Sequence, residues 1–270
     1  MRSADNVQAV IFDLSGTVID FGSRGPVVAF VELFSRHGVT VSEAEARAPM
    51  GSHKWDHIWA MLSDDAIAER WKVAKGERPD TSVVDALYPE FTAIQVAVLA
   101  RHCEVLPGVA EVTDELRRRG IRYASTTGFD SGMMTELIRS ANANGYRPEI
   151  FVGPDMVGGG RPAPWMAYHA ARHMGLYPMR CFVKVGDTAV DVAEAQNAGM
   201  WAVSVVATGN EIGLSEAELA ALPESERSAR FEAARAKFKG LGAHYVIDSV
   251  AELLPAIEEI DRRLAAGERP

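Results

Sequence analysis

Residues 7–17 read VQAVIFDLSGT, a short apolar run that ends in Asp13 and a turn containing Gly16. The run has the length and composition of a buried β-strand, which places Asp13 at the strand's carboxyl end. A carboxylate in that position can attack phosphorus as a nucleophile and can also bind a metal ion. The alternative is a structural aspartate that caps a following helix.

Five further strand-like runs alternate with helical patterns along the chain. They lie at residues 121–125, 150–152, 181–185, 201–206 and 245–247. Alternating strands and helices predict an α/β fold with a Rossmann-like, mostly parallel sheet covered by helices. Ligands of such sheets bind beyond the carboxyl ends of the strands.

The segment between the first two strands breaks this alternation. Apolar residues recur there at helical spacing, in residues 27–34 and again in residues 55–62, and no convincing strand pattern appears. We therefore predict an all-helical cap domain at residues 22–100. It is inserted into an α/β core domain formed by residues 1–21 and 101–270.

Composition restricts the classes of function. The 270 residues are 47% hydrophobic and 24% charged, with a net charge of −9 and no long basic run, which does not favour a nucleic-acid binder. No run reaches the ~20 apolar residues of a membrane span, and the start of the chain does not resemble a signal peptide. Cys103 and Cys181 lack metal-site spacing and are expected to be reduced. We expect a cytoplasmic protein that binds neither nucleic acid nor membrane.

A second acidic element follows the fourth predicted strand. Residues 184–191 read KVGDTAVD, with Asp187 and Asp191 four positions apart. If the strands that end at Asp13 and Asp187 are neighbours, their carboxylates would offer Mg²⁺ two oxygen ligands. Asp191 would bind the ion through water or hold the loop.

Two further elements suit a phosphate group. Residues 123–128 read YASTTG, which supplies a hydroxyl and backbone amides, and residues 158–162 read GGGRP, in which Arg161 can neutralise phosphate before a helix expected to begin at Pro162. The alternative for Arg161 is a solvated side chain on a flexible loop. Lys184 can reach an anion or serve a structural role within its strand.

These four elements resemble, in order and spacing, the motifs of the haloacid dehalogenase superfamily. The resemblance implies that a phosphoryl group is transferred to Asp13 and that Mg²⁺ is the cofactor. The implied metal ligands are Asp13, the backbone carbonyl of Ser15, Asp187 and, directly or through water, Asp191. The implied phosphate-binding residues are Thr127, Gly128 and Arg161.

One position departs from the superfamily's phosphatases, which carry a second aspartate where this chain has Ser15. The phosphonoacetaldehyde hydrolases of the superfamily lack that acid because their leaving group is carbon. The chain resembles them in four stretches, namely MGSHKWDH at residues 50–57, STTG at 125–128, GRPAPWM at 160–166 and KVGDT at 184–188.

This resemblance implies cleavage of the P–C bond of phosphonoacetaldehyde to acetaldehyde and phosphate. Lys54 would form a Schiff base with the aldehyde, His57 would shuttle protons, and Met50 would help to keep the lysine dry. The alternative for Lys54 is a solvated lysine on an amphipathic helix. The alternative function is a phosphate-ester phosphatase in which Ser15 or water replaces the missing acid.

Two expectations concern assembly and substrate detail. The broad apolar face of the helix predicted at residues 26–37, together with the resemblance, implies a homodimer formed through the caps. The alternative is that this face packs on the other helices of the cap. Phe129 stands where the family often has an aromatic hydroxyl, and Ser15 where alanine is usual, so a substituted phosphonoaldehyde stays open as the preferred substrate.

Overall fold

A computed structural model describes residues 6–99 and 101–270 of the chain. Residues 1–5 and Ala100, which belong to the predicted ranges 1–21 and 22–100, lie outside the described residues.

Six parallel strands form one sheet in the order β3-β2-β1-β4-β5-β6. They are β1 (Ala9–Phe12), β2 (Arg122–Thr126), β3 (Phe151–Val152), β4 (Phe182–Gly186), β5 (Trp201–Val205) and β6 (Tyr245–Ile247). All six predicted strands are confirmed, with ends displaced by at most about two residues, as expected where patterns rather than caps define a boundary. The Rossmann-like α/β fold class is likewise confirmed.

Helices cover both faces of this sheet. Those that follow β1 directly are α1 (Arg24–Arg36), α2 (Glu43–Arg47), α3 (Lys54–Ser63), α4 (Asp65–Lys75) and α5 (Thr81–Leu99). Those of the remaining chain are α6 (Val109–Arg118), α7 (Ser131–Ala143), α8 (Trp165–Met174), α9 (Ala189–Ala198), α10 (Glu216–Ala221), α11 (Glu224–Gly240) and α12 (Leu253–Ala265). The helix expected at Pro162 begins instead at Trp165. Pro164 disfavours helical geometry at the residue before it, so the helix starts only after that proline.

Alternation along the strands produces two hydrophobic layers. Val10 and Phe12 face α6, α7 and α12, whereas Ala9 and Ile11 face α8, α9 and α11. Strands that are buried on both faces have continuous apolar sequences, and for this reason the sequence pattern predicts these strands.

The five helices α1–α5 form what we call the helical insertion, because they enter the chain between β1 and β2. Within it α1 and α3 both pack against α5, and the rings of Phe30 and Phe91 stack with centroids 4.4 Å apart. The insertion shares one continuous hydrophobic cluster with a face of the sheet. Its separate identity as a cap domain stays a prediction.

Among the described residues, α5 alone has the length and mean hydropathy, 1.2 over its best window, that a membrane-spanning helix needs. It carries Asp85 and Glu90, and it buries Val84, Leu87 and Phe91 against the other helices of the insertion. These contacts give its apolar residues a partner within the protein.

Two short segments connect the insertion to the sheet and lie side by side. Ile19 pairs with Val105 in an antiparallel bridge, and the backbone N–H of Leu106 donates to Val18 over 2.9 Å. This pairing returns the chain to β2 next to the point where it left β1. Lys54, the first residue of α3, lies near the carboxyl end of β1, because it lines the same cavity as Asp13.

Candidate active site

Three carboxylates meet at the carboxyl edge of the sheet. Asp13 follows β1, Asp187 follows the neighbouring strand β4, and Asp191 lies in the first turn of α9. All three are buried, and each offers an oxygen within 4.8 Å of the others. The expected juxtaposition of Asp13 and Asp187 is therefore a consequence of adjacent parallel strands.

Local hydrogen bonds fix the orientation of these acids. Asp187 accepts from the Thr17 hydroxyl over 3.1 Å and from the Asn210 backbone N–H over 2.8 Å. Asp191 accepts from the hydroxyl of Thr188 over 2.5 Å. Gly16 lies close to them with a φ of +84°, and a β-carbon on it would fall 2.2 Å from an oxygen of Asp187. Only glycine fits this turn.

Two buried cationic side chains, Arg161 and Lys184, form ion pairs with carboxylates of the site. Arg161 contacts Asp13 over 2.7 Å, Asp191 over 3.0 Å and Glu194 over 3.1 Å. Lys184 contacts Asp191 over 3.1 Å and Glu194 over 3.0 Å. Lys184 thus pairs with carboxylates of the protein, which supports the structural role, and its ability to reach a bound anion stays a prediction. Arg161 is no solvated loop residue, because its guanidinium is buried against the carboxylate of Asp13.

Charge in this group is unbalanced. Asp13, Asp187, Asp191 and Glu194 together bring four carboxylates, against the two cations Arg161 and Lys184. Burial, and then the charges of Asp13 and Asp191, raise the pKa of Asp187 well above its usual range. Burial also raises the pKa of Asp13 although Arg161 opposes it, whereas for Asp191 the nearby Arg161 and Lys184 outweigh burial and lower the pKa. Clustered buried acids with surplus negative charge are the donor set of a hard divalent cation, so these residues fit Mg²⁺.

The residues predicted to bind phosphate follow β2. The hydroxyl of Thr127 accepts from the backbone N–H of Phe129 over 3.2 Å, and Thr127 and Gly128 line the same cavity as Asp13. A β-carbon on Gly128 would lie 2.3 Å from the carbonyl oxygen of Ser52, so the helical insertion reaches this turn closely. Phosphate binding by Thr127, Gly128 and Arg161 stays a prediction.

Lys54 is the first residue of α3 and is only 3% exposed. Its ammonium lies 5.7 Å from the ring centroid of Phe30 and 5.1 Å from that of Phe129. Within residues 6–99 and 101–270 no hydrogen bond or ion pair to this ammonium is found. Burial lowers the pKa of Lys54 from 10.5 to about 8, although the charge of Asp13 opposes the shift. A solvated lysine on an amphipathic helix is thereby ruled out.

One small cavity lies between Lys54 and the carboxylate of Asp13. Lys54, Asp13, Ser15 and Met50 all line it, and its volume is about 20 Å³. The helical insertion therefore leaves little free space between Lys54 and Asp13. Lys54 and Asp13 consequently line the same narrow space.

His57 lies one helical turn after Lys54 and is completely buried. Its Nε2 is 2.9 Å from the carbonyl oxygen of Ala46, and its ring stacks on Phe30 at a centroid distance of 3.8 Å. Because a carbonyl only accepts, the proton is on Nε2, and Nδ1 is left without a partner among the described residues. Burial and then the charge of Lys54 lower the pKa of His57 well below its usual value, which keeps the ring neutral. Its role as a proton shuttle stays a prediction.

Sequence reasoning missed several residues of this site. Glu194 forms ion pairs with Arg161 and Lys184, and Phe30 is one of the two aromatic rings near the ammonium of Lys54. Glu194 follows Asp191 at helical spacing, and that signal was available in the sequence. Phe30 gave no such signal, because it read as one apolar residue of an ordinary helix.

Comparisons with known proteins agree with this geometry. A family model for haloacid dehalogenase-like hydrolases matches residues 7–199, and one for HAD-hydrolase-like proteins matches residues 159–253. A phosphonoacetaldehyde hydrolase of Nitratidesulfovibrio vulgaris is 44% identical, over 98% of this chain and 94% of its own. One from Paraburkholderia phytofirmans is 42% identical, over 98% and 99% of the two chains.

Solved structures agree as well. The crystal structure of a phosphonoacetaldehyde hydrolase-like protein from Oleispira antarctica superposes with a TM-score of 0.97 at 40% identity, over the whole of both chains. A β-phosphoglucomutase from Clostridium difficile shares the fold alone, with a TM-score of 0.67 at 15% identity. The chain therefore belongs to the haloacid dehalogenase-like hydrolases and, among them, to the phosphonoacetaldehyde hydrolase family.

Proposed function

We propose that this protein hydrolyses the P–C bond of phosphonoacetaldehyde to give acetaldehyde and phosphate. The observation that carries the proposal is the shared cavity. It brings a buried lysine, whose pKa is lowered to about 8, together with a strand-end aspartate. The names of the relatives point to the same substrate.

Lys54 would make it possible for carbon to leave when the P–C bond breaks. Breaking a P–C bond directly would leave a carbanion next to the aldehyde, which is too basic to depart. Neutral Lys54 would attack the aldehyde carbon, and loss of one water would give a protonated imine. The imine nitrogen then accepts the electron pair of the P–C bond.

Asp13 would make the bond to phosphorus. A carboxylate oxygen of Asp13 attacks, the P–C bond breaks, and its electrons form an enamine on Lys54. Water then hydrolyses the phosphorylated aspartate and releases phosphate. Protonation of the enamine carbon and hydrolysis of the imine release acetaldehyde and restore the amine, so that one water is consumed overall.

Other residues would support these steps through position and charge. Thr127 and Gly128 would bind phosphonate oxygens, and Arg161 would add positive charge through its contact with Asp13. Met50 lines the cavity and would help to exclude water, and neutral His57 would carry protons during imine formation.

The chain offers a metal site for the phosphoryl step. Asp13, the backbone carbonyl of Ser15 and Asp187 would hold Mg²⁺, with Asp191 bound directly or through water. When bound, the ion supplies positive charge that balances the carboxylates and the phosphonate oxygens.

The competing function, a phosphate-ester phosphatase, needs an acid that protonates a leaving alkoxide. Ser15 occupies the position of that acid, and its hydroxyl is buried without a hydrogen-bond partner among the described residues. A serine hydroxyl is too weak an acid for this task, and the buried Lys54 would have no role in it.

The two functions are separated by matched substrates. Phosphate release is measured from phosphonoacetaldehyde and from glycolaldehyde phosphate, which keeps the aldehyde and the phosphoryl group but has a P–O bond. We expect at least about a hundredfold preference in kcat/KM for the phosphonate, about 2.7 kcal/mol in barrier. Chelation of Mg²⁺ and Asp13→Ala should each abolish release. A preference for the ester would establish the phosphatase instead.

We also propose that residues 22–100 act as a cap domain over a core of residues 1–21 and 101–270. The narrow cavity that Lys54 and Asp13 share supports this proposal, because movement of the insertion relative to the sheet would open a path for the substrate. A homodimer formed through the insertions and a cytoplasmic location complete the proposal.

A further inference from the structure

Arg47, the last residue of α2, makes hydrogen bonds outside its own helix. One guanidinium nitrogen, Nη1, donates to the carbonyl oxygens of Gly22 and Ser23 over 2.9 and 3.4 Å and to the side-chain oxygen of Asn210 over 3.2 Å. The other, Nη2, donates to the carbonyl oxygen of Gly213 over 2.8 Å. The side chain is 13% exposed, so these bonds form largely away from water.

The partners of Arg47 indicate that its side chain holds neighbouring segments in position and does not mainly balance charge. Gly22 and Ser23 belong to the segment that leads from β1 into α1, and Asn210 and Gly213 belong to the loop after β5. All four acceptors are neutral, while Glu43 is 3.9 Å away. A planar guanidinium with several donors is suited to hold four such oxygens in one arrangement. Arg47 thus fastens α2 both to the segment that leads into α1 and to the loop after β5.

One of these partners, Asn210, also orients the carboxylate of Asp187. The backbone N–H of Asn210 donates to Asp187 over 2.8 Å, while its side-chain amide donates back to the carbonyl oxygen of Arg47 over 3.4 Å. On the other side, the chain runs from Arg47 directly into Met50 and Lys54, which line the cavity. A short path of contacts therefore joins the lysine-bearing segment to Asp187.

We propose that Arg47 is a positioning residue through which the helical insertion fixes the orientation of Asp187, acting through Asn210. Arg47 holds the loop at residues 210–213 and with it the backbone N–H of Asn210 that donates to Asp187. The effect of Arg47 on catalysis rests on the proposed function. Its effect on the orientation of Asp187 does not, because that effect can be measured in the metal-free protein and through Mg²⁺ affinity without turnover.

The test compares Arg47→Ala and Arg47→Lys with Arg70→Ala as a matched control. Arg70 also bonds to carbonyl and carboxylate oxygens, at Ala66, Thr40 and Glu45, but all of these lie within the insertion. Amide hydrogen exchange of residues 208–214 is measured in the metal-free protein, and the Mg²⁺ affinity is measured by calorimetry. Thermal melting first establishes that each variant is folded.

We expect Arg47→Ala to accelerate exchange in residues 208–214 and to weaken Mg²⁺ binding about tenfold, roughly 1.4 kcal/mol. Arg47→Lys should give intermediate effects, because lysine keeps the charge and some donors but loses the planar fork. It also serves as the deciding variant if Arg47→Ala does not fold. Arg70→Ala should match the parent in both measurements.

A double-mutant cycle with Asn210→Ala tests the route of the coupling. If Arg47 acts through Asn210, the losses of Mg²⁺ affinity in the two single variants will not add in the double variant. Unchanged exchange or unchanged Mg²⁺ affinity in a folded Arg47 variant would overturn the proposal, as would full additivity. Failure of the proposed function appears separately, as a parent protein that does not cleave phosphonoacetaldehyde.

Discussion

At the scale of single residues, the pKa of Lys54 links burial directly to rate. Attack on an aldehyde needs the unprotonated amine. Lowering the pKa from 10.5 to about 8 raises the neutral fraction at pH 7 from roughly 0.03% to roughly 10%. Burial of Lys54 therefore increases the reactive form by more than about a hundredfold.

This shift predicts the pH dependence of the reaction. Because the neutral amine is the reactive form, kcat/KM should rise with pH and level off above about 8. The profile of kcat/KM between pH 6 and 10 checks this. A profile that keeps rising to a break near the ordinary lysine value would show that the amine is not desolvated in solution.

At the scale of elements, the sequence pattern predicts where strands end, but it does not predict which side chains of distant elements come into contact. The apolar runs of β1 and β4 are visible in the sequence, so the meeting of Asp13 and Asp187 follows once the two strands pair. The surroundings of Lys54 come from Phe30 in α1 and Phe129 after β2. Helical spacing records only that Phe30 is buried, and it holds no information on which lysine the ring will contact.

The loop before α3 provides an element-scale prediction. Gly51 has a φ of +92°, and a β-carbon on it would lie 2.4 Å from the hydroxyl of Thr188. Gly51→Ala should displace the loop that leads into Lys54 from the sheet, and kcat/KM should fall by at least about a hundredfold, or 2.7 kcal/mol.

Gly76→Ala is the matched control for this variant. Gly76 has the same φ of +92° but no atom within 4 Å of the added carbon. It should cost only the backbone strain, roughly 1 kcal/mol of stability, and leave kcat/KM unchanged. Equal activity of the two variants in steady-state assays would contradict the close contact at Gly51.

At the scale of the whole molecule, the exposed side of α1 carries the prediction of a homodimer. Val27, Val28 and Val31 line a surface groove of about 430 Å³, and Val28 is 42% exposed. We expect sedimentation to show a dimer at micromolar concentration and Val28→Asp to give a monomer, since a charge would be buried in the contact. Val73→Asp, at an 87% exposed valine of α4, should leave the dimer intact. A monomeric parent would refute the assembly.

Metal binding should be visible in the stability of the whole chain. Without a cation, the buried carboxylates of Asp13 and Asp187 repel each other. Mg²⁺ that binds only the folded state at a hundred times its Kd adds about 2.7 kcal/mol to the free energy of unfolding. Thermal melting should therefore show a rise in Tm with Mg²⁺ that is largely lost in Asp187→Asn. A Tm that does not respond to Mg²⁺ would argue against a metal site at these residues.

The central claim, an imine on Lys54, is tested most directly by trapping it. Borohydride added together with phosphonoacetaldehyde should inactivate the enzyme and attach a two-carbon group to the peptide that contains Lys54, as read by mass spectrometry. Glycolaldehyde phosphate is unsuitable here because its own aldehyde can react, so a phosphate ester without an aldehyde is the control and should leave no adduct.

The variant Lys54→Arg completes this measurement, because it keeps the positive charge but cannot form the imine. It should show no adduct and lose P–C cleavage by several orders of magnitude while still binding Mg²⁺. Absence of an adduct on Lys54 in the parent, or cleavage by Lys54→Arg within about tenfold of the parent, a change of only ~1.4 kcal/mol, would contradict the account.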